Sequence, residues 1–137
     1  MLLTLLFVFY NVQAQYYYND IAALNESNKI YLTLKKNNIQ QVSATSMQSD
    51  NTPTTGFVYL KLLKNNASVV TTHIELETGG TSDETDTYSN DLLVKSSDSA
   101  DNVSTIVEYA YDSTGNTLFV QTQTDDTTMN THSTELH

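Results

Sequence analysis

The sequence predicts a mainly β protein, an antiparallel meander of hairpins with one short N-terminal helix and a sheet left incomplete. Three observations carry this expectation. Beyond Ile39 the apolar residues alternate with polar ones at a period of two, the spacing of half-buried strands. Pairs and quartets of turn-forming residues, Asn90-Asp91 and Asp112-Ser113-Thr114-Gly115, separate runs of near-equal length. The composition is rich in Thr, which suits pleated surfaces, and in Ser and Asn, which suit turns.

In chain order, Leu2 to Tyr10 is an unbroken apolar run without charge, followed by Val12 and Ala14. An apolar stretch of roughly 7–15 residues ending in small residues is a secretory signal, and a bilayer span needs about 20. Cleavage is expected between Ala14 and Gln15, although no basic residue precedes the run. Residues 1–14 are therefore read as a signal peptide and 15–38 as an extended segment with a short helix. Residues 39–137 are read as the hairpin domain, truncated at its C-terminal end. No transmembrane helix is expected after signal removal, and the localisation implied is secreted, periplasmic or cell envelope.

Tyr16-Tyr17-Tyr18 opens the mature chain as an extended aromatic segment. Ile30, Tyr31 and Leu34 then fall at helical spacing, Ser27 can cap the start, and Lys35 and Lys36 suit the negative end of the dipole. A helix over 27–36 follows, stopped by Asn37-Asn38. Strands are expected at 39–47, 56–64 and 67–77. The first clear hairpin joins 81–89 to 92–99 across Asn90-Asp91, whose side chains tolerate the positive φ of a two-residue turn. Its register sets Tyr88 against Leu93 and Asp86 against Lys95. The second joins 103–111 to 116–124, with Gly115 as the bulge residue of a type I turn begun by Asp112. It sets Tyr109 against Phe119 and Tyr111 against Thr117. A last strand, 128–136, has no later strand to cover its edge, so self-association through it is expected.

Charge narrows the partners. The chain has 16 acidic residues, six Lys and no Arg, for a net charge of −10. Residues 15–64 hold five Lys against three acids, whereas residues 65–137 hold Lys95 alone against thirteen. Such a surface repels phosphate backbones, which argues against nucleic acid. Thr, Ser and Asp at alternate positions on both faces argue against a lipid-facing barrel. Absence of Cys removes disulfides, thiol catalysis and thiolate metal sites; in an exported domain this small it suits a bacterial envelope better than an animal secretory pathway.

Few residues invite chemistry. His73 and Glu75 share a strand face and offer two metal ligands or an acid–base pair, without a third. His132, Glu135 and His137 do not converge in a strand. Asp83, Glu84, Asp86, Asp98 and Asp101 crowd one hairpin, and Asp125-Asp126 follows the other, but none has the loop spacing of a calcium site. Asn25, Asn66 and Asn102 begin glycosylation-type triplets, expected by chance in so Asn- and Ser-rich a chain. There is no Gly-x-Ser-x-Gly elbow and no phosphate loop. No catalytic residue and no cofactor is expected, and metal binding stays open.

The two hairpins repeat: 87–94 is similar to 110–120, with Leu92 and Leu118 in equivalent places. The complete unit, Tyr109-Ala110-Tyr111-Asp112-Ser113-Thr114-Gly115, resembles a YD-type (RHS-like) repeat, and Tyr88-Ser89-Asn90-Asp91 resembles a degenerate copy lacking the Gly. The likeness covers at most residues 81–136 and is also found in uncharacterised secreted bacterial proteins. It implies an exported β-hairpin array, a structural or interaction protein without enzymatic activity. Two alternatives stand beside it. One is a glycan- or peptide-binding module using Tyr16, Tyr17 and Tyr18. The other is a fragment of a secreted hydrolase whose site lies outside this chain.

Overall fold

A computed structural model of the chain describes residues 21–137; the expected signal segment, the expected Ala14–Gln15 cleavage position and Tyr16–Tyr18 lie outside the described residues. Residues 21–36 form a helix, α1. It begins before Ser27, because its inward face already runs Leu24, Asn28, Tyr31 at i, i+4, i+7, with Leu24 and Tyr31 buried. Asn25 and Glu26 lie on the helix's exposed side, while Ser27 turns toward the sheet, so the polar run does not interrupt the helix. Its end is built as expected. Asn38 takes φ 55°, while the Asn38 and Ile39 amides donate to the Lys35 and Leu34 carbonyls at 3.0 Å each. This pair of bonds around a left-handed residue closes the last turn and satisfies its orphan carbonyls.

Eight strands follow: β1 (Gln41–Ala44), β2 (Val58–Lys64), β3 (Val69–Glu75), β4 (Thr81–Ser89), β5 (Leu92–Ala100), β6 (Val103–Tyr111), β7 (Thr117–Asp126) and β8 (Thr131–Leu136). They form one antiparallel sheet in the order β1 to β8, and its two edge strands do not meet, so the sheet stays open. The expected meander is therefore the fold. The strand expected over 39–47 shrinks to four residues, with Met47 and Pro53 adding only an isolated bridge. Pro53 cannot donate to a ladder, which limits that edge.

Two registers differ from expectation, both through bulges. A shift between Thr87 and Tyr88 keeps Tyr88 opposite Leu93 but sets Asp86 against Ser96 and Thr87 against Lys95. A shift between Ala110 and Tyr111 keeps Tyr111 opposite Thr117 but sets Tyr109 against Val120 and Ala110 against Phe119. Each bulge lies beside the turn, where one extra residue raises the local twist. Lys95 instead reaches the next strand, where its Nζ lies 3.0 Å from Glu108 Oε1.

Alternation decides what α1 covers. On β4, Glu84, Asp86 and Tyr88 share one face, in register with Thr72 and Val70 of β3 and with Leu93 of β5. The buried cluster is Leu24 and Tyr31 from α1 with Val70, Tyr88 and Leu93 from the sheet. Tyr31 and Tyr88 stack with ring centroids 3.6 Å apart and an interplanar angle of 7°. Leu93 is tied from two sides: its N–H donates to Asn28 Oδ1 at 3.0 Å, and its carbonyl accepts from the Tyr111 hydroxyl at 2.6 Å. From β6 onward Val120 is the one buried hydrophobic residue among the described residues. Every residue of β8 is exposed.

Candidate functional site

The face of the sheet away from α1 aligns the polar residues singled out in the sequence. One cross-strand row runs Leu60, His73, Asp83, Ser99, Ser104, Asp125, His132. His73 Nδ1 meets Asp83 Oδ1 at 2.7 Å and its Nε2 meets Glu75 Oε1 at 3.4 Å. Asp83 first and Glu75 second raise the His73 pKa above its ordinary value. At the other end His132 Nδ1 lies 2.6 Å from Asp125 Oδ1.

This row holds serine, histidine and carboxylate in the wrong order for nucleophilic catalysis. Asp83 stands between His73 and Ser99, so the base lies two strands from the hydroxyl, about 9–10 Å away. Activation needs hydrogen-bond reach between those two groups. Both His73 ring nitrogens face carboxylates, Asp83 on one side and Glu75 on the other. Among the described residues no group of three His, Asp or Glu is arranged to hold a metal ion. His137 Nε2 meets Glu135 Oε2 at 3.3 Å and does not join His132. The sequence paired His73 with Glu75 but not with Asp83, because cross-strand register brings Asp83 there and spacing along one strand does not show it.

The turn residues have well-defined roles. Asn90 and Asp91 take φ 50° and 65°, and Gly115 takes φ 89°. Asp91 also pairs with Lys35 of α1, tying the hairpin tip to the helix. Asp112 Oδ1 accepts from the Thr114 amide at 2.8 Å, the Thr114 hydroxyl at 2.7 Å and the Asn116 amide at 2.9 Å. These donors, Thr114 first, hold its carboxyl well below the usual range.

Two places beside α1 have ligand-like shape. A shallow groove at the helix end is lined by Tyr31, Lys35, Asn65, Asn66, Ser68, Tyr88, Asn90 and Asp91. Its polar groups suit a sugar, but Tyr31 and Tyr88 are only 3% and 7% exposed. They are spent on each other and offer no aromatic platform. The second place is a smaller cavity of about 80 Å³ between α1 and β2–β4, lined by Ser27, Ile30, Tyr31, Leu34, Lys61, Val70, Glu84, Asp86 and Tyr88. Asp86 is 7% exposed and its Oδ1 has no hydrogen-bond partner. Burial and then the nearby Glu84 charge push its pKa up to about 6, against weaker support from Ser96 and Lys61.

No family model, curated protein or solved structure matches the chain. Its own residues and geometry therefore carry the functional argument. No helix among the described residues is long and apolar enough to cross a membrane.

Proposed function

We propose that this chain is an exported, non-enzymatic β-sheet interaction module of the bacterial envelope or exterior, built from YD-like hairpins. In this reading it associates by adding a strand of a second copy to the outer edge of β8. Export rests on the Leu2–Tyr10 run and the Val12/Ala14 spacing. The hairpin-array reading is supported by the Tyr-x-Tyr-Asp-x-x-Gly stretch at 109–115, which closes the β6–β7 turn through Asp112 and Gly115.

The observation that carries the reading is the edge of β8. Val120 and His137 exchange both backbone hydrogen bonds, at 3.0 and 2.9 Å. Bonded and non-bonded pairs alternate along an antiparallel ladder, so the N–H and C=O groups of His132, Thr134 and Leu136 point away from β7. Edge strands are usually blunted by Lys, Pro or a bulge, and β8 contains none of them. A two-fold pairing centred on Thr134 would set His132 opposite Leu136 and Ser133 opposite Glu135 of the second copy. No like charges would face each other.

Sedimentation of the full chain across a concentration series tests this. A reversible dimer is expected, tightening with salt as repulsion between two chains of net charge −10 is screened. Thr134→Pro removes an outward N–H that β7 does not use, so it should abolish the dimer and leave the monomer folded. A monomer at every concentration and salt would sink the proposal.

A further inference from the structure

Burying a carboxyl with an unpaired oxygen under a helix is costly unless the group is neutral. Asp86 is such a group, and it faces a cavity that α1 roofs with Ser27, Tyr31 and Leu34. We propose that Asp86 is a proton-operated latch: protonated, it lets α1 seat on β2–β4, and ionised, it drives the helix off the sheet.

The surroundings of Asp86 make its charge state decisive. On β4 itself, Glu84 is two residues away on the same face and Tyr88 two residues the other way. From β5 comes Ser96, the register partner, which supports the carboxyl through a side-chain hydrogen bond. From β3 come Val70 and Thr72, neither titratable, and the buried Thr72 hydroxyl is itself unpartnered. From β2 comes Lys61, the cation lining the cavity, and from α1 comes Tyr31. With Asp86 ionised, Glu84 and Asp86 place two negative charges against the one positive charge of Lys61. Asp86 itself is only 7% exposed and its Oδ1 meets no donor, so its charge is left without compensation while α1 is seated. Lifting α1 admits bulk water to the Asp86 carboxylate.

Linkage gives the direction. With α1 seated, Asp86 keeps its proton up to about pH 6, against an ordinary value of 3.8. With the helix lifted and the group hydrated, the proton leaves near the ordinary value. Raising the pH through this interval therefore favours the lifted state, by up to roughly a hundred-fold. The lifted state uncovers Leu24, Tyr31 and Tyr88, three members of the buried apolar cluster. The latch operates whether or not β8 pairs with a second copy.

Hydrogen exchange on the full chain, corrected for intrinsic rates, tests this between pH 4.5 and 7.5. Opening of the α1 amides is expected to rise roughly 25-fold across this window, the part of the full effect that lies above pH 4.5, while β6 and β7 amides stay near constant. Asp86→Asn should hold α1 closed across the range, because its amide is neutral at every pH. Glu84→Gln should shift the midpoint to lower pH without abolishing it, and it serves if the Asp86 variant does not fold. The latch is overturned by pH-independent α1 opening in the parent chain. It is also overturned by equal loss of protection in α1 and β6–β7, or by a midpoint that neither substitution moves.

Discussion

The two halves of this sheet solve the same problem by different means. From β2 to β5 the strands have a helix on one face, and five buried apolar side chains join the two layers. In β6 only Tyr109 and Tyr111 still pack against that cluster, and from there to β8 Val120 stands as the isolated buried hydrophobe among the described residues, with β8 exposed throughout. What remains in the second half is cross-strand chemistry: Thr105 beside Thr124 at 3.5 Å, Asp125 with His132, and the Asp112 turn. Such contacts contribute about 0.2–1 kcal/mol per pair, against about 1.5–3 kcal/mol for each large apolar side chain fully buried. A sheet can therefore be continuous in hydrogen bonding and uneven in stability.

Removing the layer contact gives the largest expected effect. Tyr31→Ala deletes the ring stacked on Tyr88 and should cost about 3–5 kcal/mol. Chemical denaturation gives the loss. Hydrogen exchange should place it in α1 and β3–β5, and an equal loss in β7–β8 would show that the halves are one cooperative unit. Next is the single-layer half: Gly115→Val should destabilise the β6–β7 hairpin by about 1–2 kcal/mol. A Cβ there would meet Leu92 at an ordinary 3.9 Å, so the penalty comes from φ 89° rather than from crowding. A melt superimposable on the parent's would remove Gly115 from the account of that turn.

The halves should also fail at opposite ends of the pH scale. In the layered half His73 has a raised pKa, so its contribution is complete below its unfolded value of 6.5 and fades as pH rises through the folded one. Asp86 acts in the same direction between about pH 4 and 6. In the single-layer half Asp112 and Asp125 have lowered values, set mainly by Thr114 and by His132. Their contribution is complete above 3.8 and is lost as pH falls through the folded values. Asp50, held by Thr52 in the β1–β2 loop, follows them. Amide protection in β7–β8 should therefore fail first on acidification, and His73→Gln should flatten the decline of stability above pH 6.5. A common pH dependence of both halves would erase the distinction.

The smallest effect concerns the β2–β3 turn, where Asn65, Asn66 and Ala67 take φ 50°, 58° and 65°. Alanine is poorly suited to that region, and Ala67→Gly should raise stability by about 0.5–1 kcal/mol, less whatever the lost methyl contributed to the core. A fall in melting temperature would mean that packing outweighs strain there.

Hairpins were legible in the sequence because Asn and Asp do here what glycine does elsewhere. With four glycines in the chain, the left-handed positions at Asn38, Asn51, Asn90, Asp91 and Asn130 fall to residues that are visible as turn formers. Bulges were not legible, since nothing in Thr87-Tyr88 or Ala110-Tyr111 announces an extra residue. Both misplaced registers, Asp86 with Lys95 and Tyr109 with Phe119, follow from that. The helix upstream of Ser27 was hidden because Asn25 and Glu26, which read as a break, lie on its exposed side while Leu24 is already buried. The burial of Asp86 was within reach: Tyr88 pairs with Leu93 as the spacing predicts, and a period of two puts Asp86 on the same apolar face. What spacing along the chain lacked was the knowledge that α1 lies across it.

Because every strand of this sheet is bonded only to its neighbours in sequence, its mechanics differ from those of a sandwich or barrel. A pull on the C-terminal end, across the strands, loads the β7–β8 bonds one after another instead of all together. The sheet should then yield as a zipper, strand by strand from β8, until the opening reaches β5, where α1 and the Tyr31–Tyr88 stack resist. A force ramp on a single molecule should record a staircase of small releases followed by one higher rupture.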